Sequence, residues 1–193
     1  QVRNDLSYAR QRVVVAAAAS GISLGVAGGT HHALEDLALM RSLPHMTVIV
    51  PADAESAWQA TLATLDLDGP VYLRLGGRVE EPPVAAPGSA WTPGKARRLR
   101  EGGDVTVIAC GALVAMALQA ADALAAEGLG VRVLDMHTVK PLDHEAVLAA
   151  AAETRGIVTA EEHHLTGGLG GAVAELLALE QPTRMRMVGM PDE

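Results

Sequence analysis

Phenylalanine is missing from this 193-residue chain, and tryptophan and tyrosine together supply only 2% of it. A core must therefore be filled by Ala, Val, Leu and Met, and the aromatic platforms on which proteins stack single-stranded bases are lacking. Positive charge is also short. Fifteen Lys and Arg against 23 Asp and Glu leave a formal net charge of −8, the opposite of the basic stripe that neutralises the phosphates of a duplex. No nucleic-acid partner is expected. No apolar run reaches the ~20 residues of a membrane-spanning helix, so no membrane partner is expected either. The one cysteine, Cys110, cannot make a disulfide within the chain, which favours a reducing, cytoplasmic setting. It sits in Val105-Thr106-Val107-Ile108-Ala109-Cys110-Gly111, a run that reads as a buried strand, where a thiol is inert. The chain starts at Gln1 without Met or a signal-like segment and reads as a piece of something longer.

What is present describes a globular protein: 49% hydrophobic and 20% charged residues. Residues 79–103 carry Pro82-Pro83, Pro87-Gly88, Pro93-Gly94 and Gly102-Gly103, are poor in periodic apolar pattern and read as a linker between two blocks. In the first, strands are expected over Arg12 to Ala18, Val48 to Val50 and Val71 to Leu75, with helices over 31–43 and Ala54 to Leu65. The second repeats the grammar. Strands are expected over Val105 to Cys110, Val131 to Asp135, Gly156 to Ala160 and Arg184 to Val188, alternating with helices over Ala112 to Glu127, Asp143 to Glu153 and Gly171 to Leu179. Near-continuous apolar strands joined by helices imply mostly parallel sheets covered on both faces, hence two three-layer α/β domains.

The chemistry-bearing motifs are few. Gly28-Gly29-Thr30-His31-His32 puts a glycine turn and two histidines just before an apolar-periodic segment, so an imidazole on that loop can face a ligand. Gly167-Gly168-Leu169-Gly170-Gly171 precedes a helix whose N–H groups could hold an anion, but it lacks the lysine and hydroxyl of a P-loop and reads as a tight turn or packing site. Asp135, His137, Lys140, Asp143 and His144 cluster around a turn that also reads as an ordinary strand-to-helix connection. Neither His-His pair has a third ligand at zinc-like spacing, so no metal ligand is assigned to this chain, and no serine nucleophile elbow is present.

Several runs resemble the C-terminal part of the transketolase family of thiamine-diphosphate enzymes. Gln1-Val2-Arg3-Asn4-Asp5-Leu6-Ser7-Tyr8 resembles a helix of its pyrimidine-binding domain, and Gly28-Gly29-Thr30-His31-His32-Ala33-Leu34-Glu35-Asp36 its Asp-Gly-Pro-Thr-His-Gln loop with the helix behind it. Met46 to Asp53, Gly69 to Gly76, Thr138 to Asp143 and Glu161 to Gly170 follow in order. The resemblance implies that residues 1–78 are the later half of the pyrimidine-binding domain and 104–193 the transketolase C-terminal domain, joined by the 79–103 linker. It also implies thiamine diphosphate and magnesium as cofactors, with the metal ligands on a separate chain carrying the diphosphate-binding domain. The family's cofactor-activating glutamate falls upstream of Gln1.

A partner N-terminal subunit and assembly into a dimer or heterotetramer are implied with it. His31 matches the loop histidine that contacts the donor near its reactive carbon and is the expected catalytic residue, a hydrogen-bond donor near developing oxyanion charge. Gly28 and Gly29 are expected at the cofactor, and His32, Arg74 and Arg78 at the substrate. The departures concern that substrate. Ala19 replaces a substrate histidine, Val26-Ala27 replaces Glu-Asp, and Gly77 stands where the phosphate-gripping arginine aligns. Each lost charge-assisted contact is worth about 1.5–3 kcal/mol, so transfer of a two-carbon ketol unit from a non-standard, unphosphorylated substrate is expected. The alternatives are the β subunit of a 2-oxo-acid dehydrogenase, which would take an oxo acid, and a non-catalytic assembly or regulatory subunit.

Overall fold

Short β-branched runs bounded by glycine, proline or aspartate become the strands of two sheets in the computed structural model, which describes residues 1–77 and 81–192. A π-helical turn, Val2–Tyr8, leads into β1 (Val14–Ala17), α1 (Asp36–Ser42), β2 (Thr47–Ile49), α2 (Ala54–Ala63) and β3 (Val71–Arg74). After β4 (Arg97–Arg100) come β5 (Val105–Ala109), α3 (Leu113–Ala126), β6 (Val131–Asp135), β7 (Thr138–Lys140), α4 (His144–Glu153), β8 (Ile157–His164), α5 (Leu169–Glu180) and β9 (Met185–Met190). The first sheet runs β1-β3-β2-β7 and the second β4-β6-β5-β8-β9. Pairing is parallel except at β2 with β7 and β4 with β6.

Period-two alternation decides what each face meets. On the second sheet, Val131 and Val133 of β6 pack with Val114, Ala117 and Ala121 of α3, while Leu134 and Ile108 turn to the other face with Val147 of α4 and Val173 of α5. On the first, Val71 and Leu73 bury against Ala60 of α2, and Val48 and Tyr72 point the other way into the core that holds Leu37 of α1 and Ile108. Each sheet is thus a middle layer, and one hydrophobic cluster runs from the first into the second. Capping fixes the helix starts. Asp53 accepts from the Ser56 N–H at 2.8 Å and Ser56 Oγ accepts from the Asp53 N–H, a reciprocal box. Asp143 accepts from Ala146 N and also from Ala96 N at 2.9 Å.

Four expectations change. The helix read over 31–43 begins only at Asp36, because Ala33 exchanges both backbone bonds with Gly21 and holds the chain extended there. Residues 97–100, inside the span read as a linker, form a strand whose Arg97 pairs with buried Asp135. Thr138–Lys140, read as a connection, instead pairs antiparallel with β2 at the edge of the first sheet. The strand read over Gly156 to Ala160 continues to His164. In the first, third and fourth, a distant backbone partner overrides the local pattern.

Candidate active site

Residues 21–33 form a closed loop. Gly21 N–H donates to Ala33 O at 3.2 Å and Ala33 N–H returns the bond to Gly21 O at 3.0 Å, while two short 3-10 turns, Gly25–Ala27 and Gly29–His31, fold what lies between. The tip points outward: Val26 is fully exposed, and Gly28, Gly29, Thr30 and His31 are exposed with it. Gly28 has φ +78, a left-handed conformation that favours glycine. His31 Nδ1 lies 3.0 Å from Thr30 Oγ1, which leaves Nε2 for a ligand. The neighbouring His32 does otherwise, for its Nε2 is buried without a hydrogen-bond partner among the described residues. So Gly28, Gly29 and His31 stand together, and His32 is turned inward.

Arg74, expected at the substrate, is only 2% exposed and is committed to the fold. Its Nε donates to Asp36 Oδ2 at 2.7 Å, and its Nη2 to Ala33 O at 2.8 Å, Asp36 Oδ1 at 3.1 Å and Glu162 O at 2.9 Å. Tyr72 OH donates to the same Asp36 carboxylate at 2.7 Å, and burial together with that carboxylate pushes the phenol's pKa up. Arg74 is thereby held as a strut between Asp36, Ala33 and Glu162. Arg78 lies outside the described residues.

Glu161, Glu162, His163 and His164 alternate along β8. Glu161 and His163 are buried, Glu162 and His164 only half so. Glu161 Oε2 and Oε1 accept from Leu169 N and Gly170 N, both at 2.7 Å. The anion that the glycine-rich α5 start could hold is the chain's own carboxylate. A Cβ at Gly168 would overlap that carboxyl, which explains the glycine. His163 Nδ1 lies 2.7 Å from His164 O and Nε2 accepts from Ala38 N at 3.2 Å, so both nitrogens of the buried ring are engaged. Glu162 Oε1 accepts from Ile22 N at 3.1 Å.

A cleft of about 270 Å³ opens at the carboxyl ends of β2, β3 and β5, lined by Asp53, Arg74, Gly76, Gly77, Glu81 and Glu162 among others. Burial pushes Asp53 up, but the Ser56 and Val84 hydrogen bonds outweigh it and hold its pKa below the usual range. Burial and the Glu162 charge raise that of Glu81. A Cβ at Gly77 would overlap Ser23 Cβ, so that position has no room for a side chain. Deeper in, Trp91 stacks on His137 with ring centres 4.3 Å apart, and Arg97 donates twice to Asp135. Burial pushes Asp135 up to about 6, and burial with the Arg97 charge pushes His137 down to about 3. Cys110 is buried and its thiol is raised by that burial.

Tested for fit to the implied cofactor, the chain offers one wall: an open glycine backbone beside an exposed imidazole. Among the described residues, no group of three or more His, Cys, Asp or Glu could hold a metal ion, and no helix is long and apolar enough to cross a membrane. Glu162, Asp36 and Tyr72 were not singled out from sequence as supports of the loop, since Asp36 and Arg74 are joined only by the fold.

Two family models match: transketolase, pyrimidine binding domain, over residues 1–78, and transketolase, C-terminal domain, over residues 94–193. A 6-deoxy-6-sulfo-D-fructose transketolase subunit of Clostridium sp. (strain MSTE9) is 45% identical over 100% of this chain and 59% of its own length. An apulose-4-phosphate transketolase subunit of Phocaeicola vulgatus is 39% identical over 100% of this chain and 62% of its own. The solved structure described as "Split gene transketolase, inactive beta4 tetramer" superposes with a TM-score of 0.92 at 44% identity, covering 99% of this chain and 61% of that one. The chain therefore spans about three fifths of the length of each of these three relatives.

Proposed function

The chain belongs to the transketolase family, and on that premise we propose that it is part of a subunit of a split, thiamine-diphosphate-dependent enzyme that moves a two-carbon ketol unit from a ketose to an aldehyde acceptor. The observation that carries this reading is the closed loop 21–33, which holds His31 and two open glycines out from the chain's own surface. An imidazole so displayed meets its substrate against a second chain. That partner is an N-terminal transketolase subunit, which supplies the diphosphate-binding domain and the magnesium ligands, and the working particle is a dimer or heterotetramer. The cofactor, when bound, supplies the carbon nucleophile and the sink for the electrons of the broken C–C bond.

This chain's residues orient. The Thr30 hydroxyl lies at Nδ1; in the tautomer in which it donates there, the His31 ring keeps its proton on Nε2 and donates it as a hydrogen bond to the donor oxygen on which negative charge grows. Gly28 and Gly29 let the backbone come close to the cofactor's ring. Gly77 lacks the phosphate-binding arginine, and the cleft beside it carries Asp53 and Glu81. A phosphate there meets carboxylates, so an unphosphorylated or otherwise non-standard ketose is the favoured substrate. Co-expression with an N-terminal transketolase subunit tests both parts. Transfer is expected only with both chains, faster from unphosphorylated ketoses, and reduced ~10²-fold or more in His31→Ala. Full turnover by that variant overturns the role of His31, and a strong preference for phosphorylated ketoses overturns the substrate.

A further inference from the structure

We infer that Glu162 is a positioning residue: reaching across from the second sheet, it fastens one foot of the loop that displays His31, and through its backbone it also secures Arg74, which fastens the other. The inference rests on the role proposed for His31. The loop has two feet, Gly21-Ile22 and Ala33, already joined by the Gly21–Ala33 backbone pair. At the first foot, Ile22 N–H donates to Glu162 Oε1 at 3.1 Å. Gly21 has φ +62, and the space its Cβ would take is filled by the Glu162 carboxyl, so any other residue there would be strained and would displace the clamp. At the second foot, Arg74 Nη2 donates to Ala33 O at 2.8 Å. The same nitrogen donates to Glu162 O at 2.9 Å, which joins the two fasteners to each other.

The clamp is stiff because its mount is stiff. Glu162 stands on β8 between Glu161, whose carboxylate holds the start of α5, and His163, which is fully buried and accepts from Ala38 of α1. Both neighbours lie on the opposite face of the strand and leave the Glu162 side chain aimed at the loop. A donor group works only when held within a fraction of an ångström of its productive place, yet residues 25–31 at the tip of this loop are exposed and folded by two 3-10 turns of their own. Its placement has to come from the feet. The second domain therefore has a part in the reaction through the placement of the loop.

The test compares Glu162→Ala, Glu162→Gln and His31→Ala in the complex with the partner subunit, and follows hydrogen exchange of the loop amides in the chain itself. Glu162→Ala is expected to speed exchange at Ile22 about tenfold or more while β5 and β6 stay protected. It is expected to lower kcat about 10- to 100-fold with the KM of the donor within about threefold of the parent. Glu162→Gln keeps an oxygen acceptor for Ile22 and is expected to recover most of both. Parental exchange at Ile22 in Glu162→Ala overturns the clamp. Loosened exchange with parental kcat, beside an inactive His31→Ala, overturns the positioning role and leaves the function of His31 standing. An active His31→Ala strikes the functional reading instead, and the exchange result still decides the clamp.

Discussion

The dipeptide His-His occurs twice in this chain, each time beside a cluster of glycines, and the two copies have opposite fates. At Gly28-Gly29-Thr30-His31-His32 the glycines lie open and the first imidazole is exposed. At Glu161-Glu162-His163-His164, followed by Gly167-Gly168-Leu169-Gly170-Gly171, the glycines are packed, Gly168 against the Glu161 carboxyl and the His163 ring, Gly167 against Ala38 and Gly170 against Thr159 and Met187, and His163 is fully buried with both nitrogens engaged. Composition does not separate them; backbone partners do. The first pair lies in a loop paired only at its feet, the second on an eight-residue strand with neighbours on both sides. One glycine-histidine patch is open to solvent and the other is built into the packed core.

The largest effect that could break this contrast is the loss of Glu161. Its carboxylate satisfies two buried N–H groups at the start of α5, and each N–H left without a partner costs about 1–3 kcal/mol. Glu161→Ala is expected to lose about 3 kcal/mol or more of unfolding free energy in urea, with an unchanged dependence on denaturant. A loss below about 1 kcal/mol would show that the second patch is no more structural than the first.

Part of this division was legible in the sequence. The alternation of strands and helices follows from apolar periodicity, and the loop imidazole follows from glycine before an amphipathic run. What escaped was pairing at a distance. Arg97-Arg98-Leu99-Arg100 carries too much charge to read as a strand, yet it becomes one because Arg97 finds Asp135 on β6. β8 was cut short at Ala160 because Thr159, Glu161 and His163 occupy its buried positions, and a polar core face gives no hydrophobic signal. The bonds that hold Arg74 as a strut escaped because nothing near it in the chain announces Asp36.

A middle-sized effect sharpens the contrast through pH. Asp135, raised to about 6, takes up a proton more readily in the folded chain than unfolded, so its contribution to stability falls as pH rises from about 4 to 6. His137, held down at about 3, must stay neutral in the fold, so its contribution falls as pH drops below about 6.5. Between pH 4 and 6 the two slopes oppose, each by up to ~1.4 kcal/mol per pH unit. The parent is expected to be nearly flat there with respect to this pair. Asp135→Asn is expected to unmask the His137 slope and to lose stability relative to the parent with each unit of acidification, as urea midpoints at pH 4, 5 and 6 would show. Equal slopes in parent and variant would remove Asp135 from the balance.

The smallest effect on stability belongs to the residue proposed to act in the reaction. His31 is exposed and its ring is engaged by the adjacent Thr30 hydroxyl, a contact within the loop that ties it to no other element. Surface substitutions of this kind shift stability by no more than about 0.5 kcal/mol, so His31→Ala is expected to unfold with the parent even as transfer collapses. The same substitution at His163 removes the acceptor that holds Ala38 N–H and empties a fully buried site, so it is expected to cost several-fold more in stability than His31→Ala. If His31→Ala destabilised the chain as much as His163→Ala, the loop would be packed in solution, and an imidazole waiting for a ligand at its tip would lose its physical basis.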